Sequence, residues 1–531
     1  MNLKSRVGKG GVMSSFIIVA FLALLSNLIG YFRDAVLAGT FGASAITDSY
    51  FTAFFIPNTL YMILVASSLS QAFLPIFVEY INEDRLKAWE ISSLIINLST
   101  VLLAGIVALG VATSNYWIPL ITPGFSASSL QLSVRLTYIL FPMILFIGLS
   151  SLVTTMLNSL NHFTVSSLAP IISSMVVIIG IIVANTTGSI YPVAFATLLG
   201  SIVQLFIQIP ILKKYGFKYT FFINLRHPAL YRLLKLTLPM MAYLGVAYMS
   251  VVIERRIAST MPEGSITFLN YAMRLFALPA TLFASSLGTV IYPHFSSLVA
   301  LEDNTRFEND LLKAIQITFL VLTPISIWIM INSRLIVDLL YGFGRFSIAE
   351  VDATALILAG YAIGMMPFGV TGILQRGLYS VKNTKLPLVI ETINLVTYFL
   401  FAKLLSSMFG LVGLAFSRAI SFCLVAVLTF WGTKALRKRT YELSMWIGRG
   451  FLLSFFIALI ATAPVWFLSL IQLSIHSRLL LLLESGFGAV FGALAYILLI
   501  RFKPFQGYNL LIAPTKKILT RQVETVDHNQ F

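Results

Sequence analysis

Residues 12–38 read VMSSFIIVAFLALLSNLIGYFRDAVLA, and from Val12 to Phe32 there is not one charged side chain. A bilayer core about 30 Å thick is crossed by roughly 20 predominantly apolar helical residues, so this run is long enough to span. Lys4, Arg6 and Lys9 precede it. The run is too long for the core of a cleaved signal and is expected to stay as the first helix. It closes on Arg33-Asp34, charges that hydrocarbon admits only at a cost of several kcal/mol. A membrane span carrying an ion pair is the pattern the rest of the chain extends.

Of the 531 residues, 58% are hydrophobic and 11% charged, whereas soluble chains carry about 25% charged residues. Too little polar surface exists to cover soluble domains, so the apolar excess must face lipid. A disordered chain, a disulfide scaffold and a collagen-like fibre are excluded by the same composition. The single cysteine, Cys423, lies in SFCLVAVLTF, cannot form an intramolecular disulfide, and reads as a small packing residue.

Fourteen stretches are apolar enough to span: 12–38, 49–78, 91–113, 133–157, 163–184, 190–212, 233–257, 266–296, 311–332, 354–378, 387–407, 410–433, 449–473 and 478–502. The fold expected is an all-α polytopic membrane protein with 14 transmembrane helices. Lys213, Lys214, Lys218, Arg226 and Arg232 follow span 6; Lys382 and Lys385 follow span 10; Lys434, Arg437, Lys438 and Arg439 follow span 12; Lys503, Lys516, Lys517 and Arg521 follow span 14. Loops after spans 1, 3, 5 and 11 have no Lys or Arg, and Arg334, Arg345 and Arg478 are the exceptions to the alternation. By the positive-inside rule both termini are cytoplasmic. The net charge of +16 then sits beside anionic lipid headgroups and needs no nucleic acid.

Ala66-Ser67-Ser68-Leu69 with Pro75 and Phe77 recurs as Ala284-Ser285-Ser286-Leu287 with Pro293 and Phe295, always 218 residues on. Leu157 and Ser159 after span 4 are echoed by Leu378 and Ser380 after span 10. Six spans separate the copies, so they run in the same direction. Two parallel six-helix lobes are expected, residues 1–215 (helices 1–6) and 216–440 (helices 7–12), followed by helices 13 and 14 (441–505) and a cytoplasmic tail (506–531). Transporters built from such repeats bind substrate between the halves and move one against the other.

Charged and amide residues within or at the ends of spans mark candidate function: Arg33 and Asp34, Asp48, Asn58 beside Pro57, Glu254-Arg255-Arg256, and Asn270 with Arg274 one turn later. Arg135 and Arg376, near span ends, read as structural. Glu391, Lys403, Arg418 and Glu484 are candidates for a coupling-ion site. Arginine stays charged in a partly dry cavity and grips phosphate oxygens with two parallel hydrogen bonds, so the bias toward arginine points to an anionic substrate, phosphate or pyrophosphate first. There is no G-x-x-x-x-G-K-[ST], no H-E-x-x-H and no Cys/His cluster to hold zinc. No metal, organic cofactor or catalytic residue is therefore assigned. Transport would draw on the membrane potential or a coupling monovalent ion.

These residues carry a family resemblance. Gly30-Tyr31-Phe32-Arg33-Asp34-Ala35, Phe41-Gly42-Ala43, Thr47-Asp48, Phe55-Ile56-Pro57-Asn58 and Ser70-Gln71-Ala72-Phe73-Leu74-Pro75 resemble the N-terminal signature of the MurJ (MviN) lipid II flippases. Thr122-Pro123-Gly124-Phe125, Asn158 with Asn161, Tyr271-Ala272 with Arg274, and Tyr341-Gly342-Phe343-Gly344 resemble further landmarks in family order. The resemblance spans about residues 12–440. It implies the multidrug/oligosaccharidyl-lipid/polysaccharide exporter fold and flipping of a lipid-linked peptidoglycan precursor to the outer leaflet of a bacterial cytoplasmic membrane. It also implies alternating access, a tail groove on helices 13 and 14, and cell-wall synthesis machinery as a partner.

Under that resemblance Arg33, Asp34, Asp48, Asn58 and Arg274 match cavity positions. Arg33 and Arg274, with Arg255, are expected to hold pyrophosphate; Asn58 would bond to sugar or backbone; Asp34 and Asp48 would orient the arginines or gate by ion pairing. Asn27 and Tyr61 stand where the family commonly has arginine, and Ala277 where it often has an acid. A flippase for another polyprenyl-pyrophosphate-linked sugar is the nearest alternative. A cation-coupled drug exporter of the same superfamily would want a carboxylate-rich cavity. A polyprenyl-sugar glycosyltransferase or ligase would want larger outer loops than 114–132 and 333–353, and a structural scaffold leaves the intramembrane arginines unused.

Overall fold

In a computed structural model of the chain, residues 9–433 are described; the expected helices 13 and 14 (441–505) and the tail (506–531) lie outside them. The described residues form helices and turns without a strand: α1 (Lys9–Phe41), α2 (Ala45–Tyr61), a π-helical turn (Met62–Leu69), α3 (Ser70–Glu83), α4 (Arg85–Ala112), α5 (Ser114–Ile121), α6 (Ala127–Leu140), α7 (Met143–Ser159), α8 (Phe163–Thr187), α9 (Tyr191–Phe206), α10 (Ile209–Lys214), α11 (Pro228–Ala258), α12 (Ser265–Ala300), α13 (Asn304–Ile331), α14 (Ser333–Tyr341), α15 (Ile348–Ile363), α16 (Met365–Ser380) and α17 (Lys385–Gly432). Among the described residues, ten helical segments are long and apolar enough to cross a membrane, or eleven when α15 and α16, bent by 41° at Gly364, count as one. This is a multi-pass all-α membrane protein.

The breaks have local causes. Pro57 cannot donate a backbone hydrogen bond in α2, and the chain widens just beyond it into the π turn, where the Ser68 hydroxyl donates to the Ile63 carbonyl five residues back at 2.6 Å. The 48-residue α17 is a hairpin. A straight helix of that length would be about 72 Å long. Instead a Cβ built on Gly432 would come 2.6 Å from Leu386, and one on Gly413 would come 2.0 Å from the Leu405 carbonyl. The reversal falls at Gly410, whose φ of 58° and ψ of −135° lie outside helical space in a region essentially reserved to glycine. Its two arms are the expected spans 387–407 and 410–433.

The described chain packs as two compact units. The first contains residues up to Phe268 together with Leu340–Glu350; the second contains Leu269–Leu339 and the chain from Val351 onward. Within the first unit, α11 packs on the π turn, α3 and α5.

The repeat is written into each core. In the first unit Phe77, 1% exposed, meets Trp89 at 5.6 Å between ring centroids. In the second, Phe295, also 1% exposed, meets Phe307 at 5.4 Å. Both members of the second pair stand 218 residues after their counterparts. Leu152 and Val153 join the first of these cores, and Ile373 and Leu374 join the second. Each unit thus buries the same motif: a proline-containing helix, the helix after it, and a third helix packed across both.

Candidate functional site

The candidate residues of the first unit gather where the turns between helices meet. α1 ends at Gly42, which adopts φ 63° and donates to the Ala38 carbonyl at 2.8 Å, a left-handed helix cap that glycine accepts without strain. The next residue, Ala43, donates its N–H to Glu350 Oε1 at 2.6 Å. Arg345 donates its backbone N–H to the Gly39 carbonyl at 2.7 Å. The segment 340–350 is thereby fastened along the end of α1.

Asp48, 4% exposed, sits one turn into α2. Its Oδ2 accepts from the Gly264 N–H at 2.8 Å. Its Oδ1 accepts from the Thr267 N–H at 2.8 Å and from the Thr267 hydroxyl at 2.6 Å. α12 begins at Ser265, so Gly264 occupies the cap position and Thr267 is the third helical residue. A capping residue normally supplies a side-chain oxygen to that third N–H. Gly264 has none, and Asp48 caps the helix from another element. Gly264 is held at φ 88°, where an added Cβ would lie 2.6 Å from the Ala43 carbonyl. Thr47, fully buried, continues the network: its hydroxyl accepts from the Ser44 N–H at 2.9 Å and lies 3.0 Å from the Thr267 hydroxyl. The Asp48 carboxylate therefore joins the α1–α2 turn to the α11–α12 turn.

Arg255, 8% exposed, crosses α2: its guanidinium donates to the Phe51 carbonyl at 3.3 Å and lies 4.1 Å from the centroid of the Phe55 ring, one turn later. Arg256, on the exposed side of α11, donates to the Leu120 carbonyl at the end of α5. Arg33 keeps 31% side-chain exposure, and its Nε and Nη2 both bond to Asp34 Oδ1, at 3.0 and 2.7 Å. Asn58 is half-buried immediately after Pro57. Asn27 donates its amide to the Ala23 carbonyl at 3.0 Å, and Tyr61 packs against the core of the unit.

In the second unit Arg274, Asn270 and Ala277 are half-buried on α12. Arg376 donates to the Gly372 carbonyl of its own helix at 3.1 Å, and its guanidinium lies where a Cβ on Gly288 would stand, 2.0 Å away. Between the arms of α17, the Ser421 hydroxyl donates to Asn394 Oδ1 at 2.5 Å, and Asn394 Nδ2 donates to Glu391 at 3.1 Å. Arg418, 5% exposed, lies 4.2 Å from the centroid of Tyr398. Lys403 is exposed, and Glu484 is outside the described residues.

Sequence reading missed Glu350, Gly264 and Thr267. None of them is unusual for its position along the chain, and only the meeting of distant turns makes them partners of Ala43 and Asp48. Among the described residues no group of three or more His, Cys, Asp or Glu side chains could hold a metal.

The chain is an all-α membrane protein that buries one helical motif twice and carries charges inside its spans, and its fold is that of the multidrug/oligosaccharidyl-lipid/polysaccharide exporters. A multidrug resistance MATE family transporter of that superfamily, solved in an inward-facing conformation, superposes with a TM-score of 0.66 over 81% of this chain and 99% of its own. At 16% identity the likeness is one of fold alone. The chain belongs to the lipid II flippase MurJ family, whose model matches residues 37–484. The lipid II flippase MurJ of Burkholderia cenocepacia is 30% identical over 432 residues, 79% of this chain and 83% of its own length. A probable lipid II flippase MurJ of Buchnera aphidicola subsp. Schizaphis graminum is 33% identical over 431 residues, again 79% and 83%. A solved lipid II flippase MurJ in an inward closed conformation matches with a TM-score of 0.75 and 25% identity, over 91% of this chain and 99% of its own.

Proposed function

We propose that this protein flips lipid II, an undecaprenyl-pyrophosphate glycolipid, from the inner to the outer leaflet of a bacterial cytoplasmic membrane by alternating access. Membership of the MurJ family along residues 37–484 carries the reading. Chemistry agrees with it: the cargo's pyrophosphate is anionic, and Arg33 and Arg274 stand within membrane spans, where an unused cation would be selected against. In this reading Arg33, Arg274 and Arg255 engage the pyrophosphate, with Arg255 already braced by Phe51 and Phe55. Asn58 bonds to the sugar, and Asp34 orients the Arg33 guanidinium through their shared hydrogen bonds. Asp48 acts as a latch: breaking its bonds to Gly264 and Thr267 would let the two turns part.

The repeat-related lobes, 1–215 and 216–440, would be the bodies that alternate, with helices 13 and 14 holding the lipid tail. Both termini face the cytoplasm, as the Lys/Arg asymmetry of the loops favours. The membrane potential or a monovalent ion drives the cycle, and the protein acts as a transporter rather than an enzyme, alongside the cell-wall synthesis machinery. The experiment is depletion in the native host with lipid II measured on each leaflet. Accumulation of lipid II on the cytoplasmic side is expected. Unchanged lipid II with another polyprenyl-linked sugar trapped inside would reassign the cargo, and Asn27 and Tyr61 would then be the residues to exchange first.

A further inference from the structure

Arg135, read from sequence as structural, makes no hydrogen bond or ion pair with any described residue. It stands on α6 one turn after Gln131 and three residues before Tyr138, so the three side chains share one helix face. α5 packs beside α6 and adds Asn115. Together they line a groove of about 300 Å³ with an apolar floor that includes Leu130 and Val134. None of the four polar side chains makes a hydrogen bond or an ion pair with any described residue. Two amides, a phenol and a guanidinium, all on exposed residues, thus line one groove without bonding to the described residues.

Depth argues for what they meet. Arg135 lies eight residues into α6, about 12 Å along the helix, near the start of the apolar run that begins at 133. Tyr116 and Tyr138, 79% and 45% exposed, mark the level at which aromatic rings sit between hydrocarbon and headgroups. Lipid phosphates occupy that level. The groove's volume is at the small end for ligand sites: it has room for a headgroup phosphate, while acyl chains would lie outside it along exposed Leu120.

We propose that this groove is a binding site for an anionic glycerophospholipid, whose phosphate is gripped by Arg135 and whose glycerol and ester oxygens are met by Gln131, Asn115 and Tyr138. The site is independent of the flipping reaction and would tie the α5–α6 corner to the surrounding leaflet.

The test is native mass spectrometry of the full-length protein in detergent with added phosphatidylglycerol, or with phosphatidylcholine as the zwitterionic comparison. Wild type should retain one more phosphatidylglycerol than Arg135→Gln and bind it at least about tenfold more tightly, the scale of one lost charge-assisted contact. Arg135→Lys should recover part of the difference. Should Arg135→Gln not fold, the double variant Asn115→Ala/Gln131→Ala keeps the charge and should still weaken retention two- to fivefold, roughly one neutral hydrogen bond. Equal retention by wild type and both variants overturns the proposal. So does equal retention of phosphatidylcholine by wild type, and so does displacement of the lipid by millimolar inorganic phosphate, which would make the groove a site for free phosphate.

Discussion

Replacing Asp48 with alanine should free the N-terminal turn of α12 while leaving the rest of the fold in place. The carboxylate accepts from two backbone N–H groups and one hydroxyl, all within 2.8 Å, in a site 4% exposed. A buried donor stripped of its partner costs about 1–3 kcal/mol, so three of them set an upper bound of several kcal/mol. Asp48 also borders a crevice shared with Ser126, Ser259 and Glu263; water entering there would re-satisfy some donors and bring the cost to about 2–4 kcal/mol. At 1.4 kcal/mol per tenfold, amide exchange at Gly264 and Thr267 should then quicken by about 30- to 700-fold. Asp48→Asn keeps one acceptor oxygen for Thr267 but turns an NH₂ toward the Gly264 N–H. Its cost should be about 1–2 kcal/mol, or roughly 5- to 30-fold. Hydrogen exchange with mass spectrometry on peptides covering 260–270, with peptides from α8 and α9 as internal reference, reads the effect directly. Unchanged exchange at Gly264 and Thr267 in Asp48→Ala would refute the capping argument. A uniform rise across all peptides would show that Asp48 supports the whole unit rather than one helix end.

Arg274→Ala should abolish lipid II flipping in a complementation assay while protein level and membrane insertion stay at wild type; full activity would remove Arg274 from the binding site. Phe77→Ala and Phe295→Ala should destabilise by similar amounts, about 3–5 kcal/mol each, because each deletes the repeat-equivalent ring from its own core; melting curves in detergent that separate the two widely would contradict the equivalence. Gly410→Val should lower folded yield sharply, since the hairpin of α17 turns on a backbone conformation that a β-branched residue reaches only with about 1–3 kcal/mol of strain or more; normal yield and melting would show that the turn can move to a neighbouring residue.

Spans, charge asymmetry and repeat were legible in the sequence because each is a property of short stretches of chain. A run such as 12–32 has one stable environment, whatever else folds around it, since every backbone polar group must be satisfied within the helix once lipid surrounds it. Phe77 and Phe295 could be matched for the same reason: equal spacing along similar helices brings equal side chains to equal faces. Tertiary structure decided what the charges do. Arg255 and Asp48 both appear in sequence as polar residues at span ends. Only the crossing of α11 over α2 gives Arg255 the Phe51 carbonyl and the Phe55 ring, and only the meeting of two turns makes Asp48 the cap of a helix 217 residues away, at Ser265. Arg135 and Arg376 read alike in sequence, yet one lies against Gly288 and the other opens onto a groove. A side chain's neighbours across space depend on helix rotation and on which turns come together, and no local pattern of hydrophobicity encodes either.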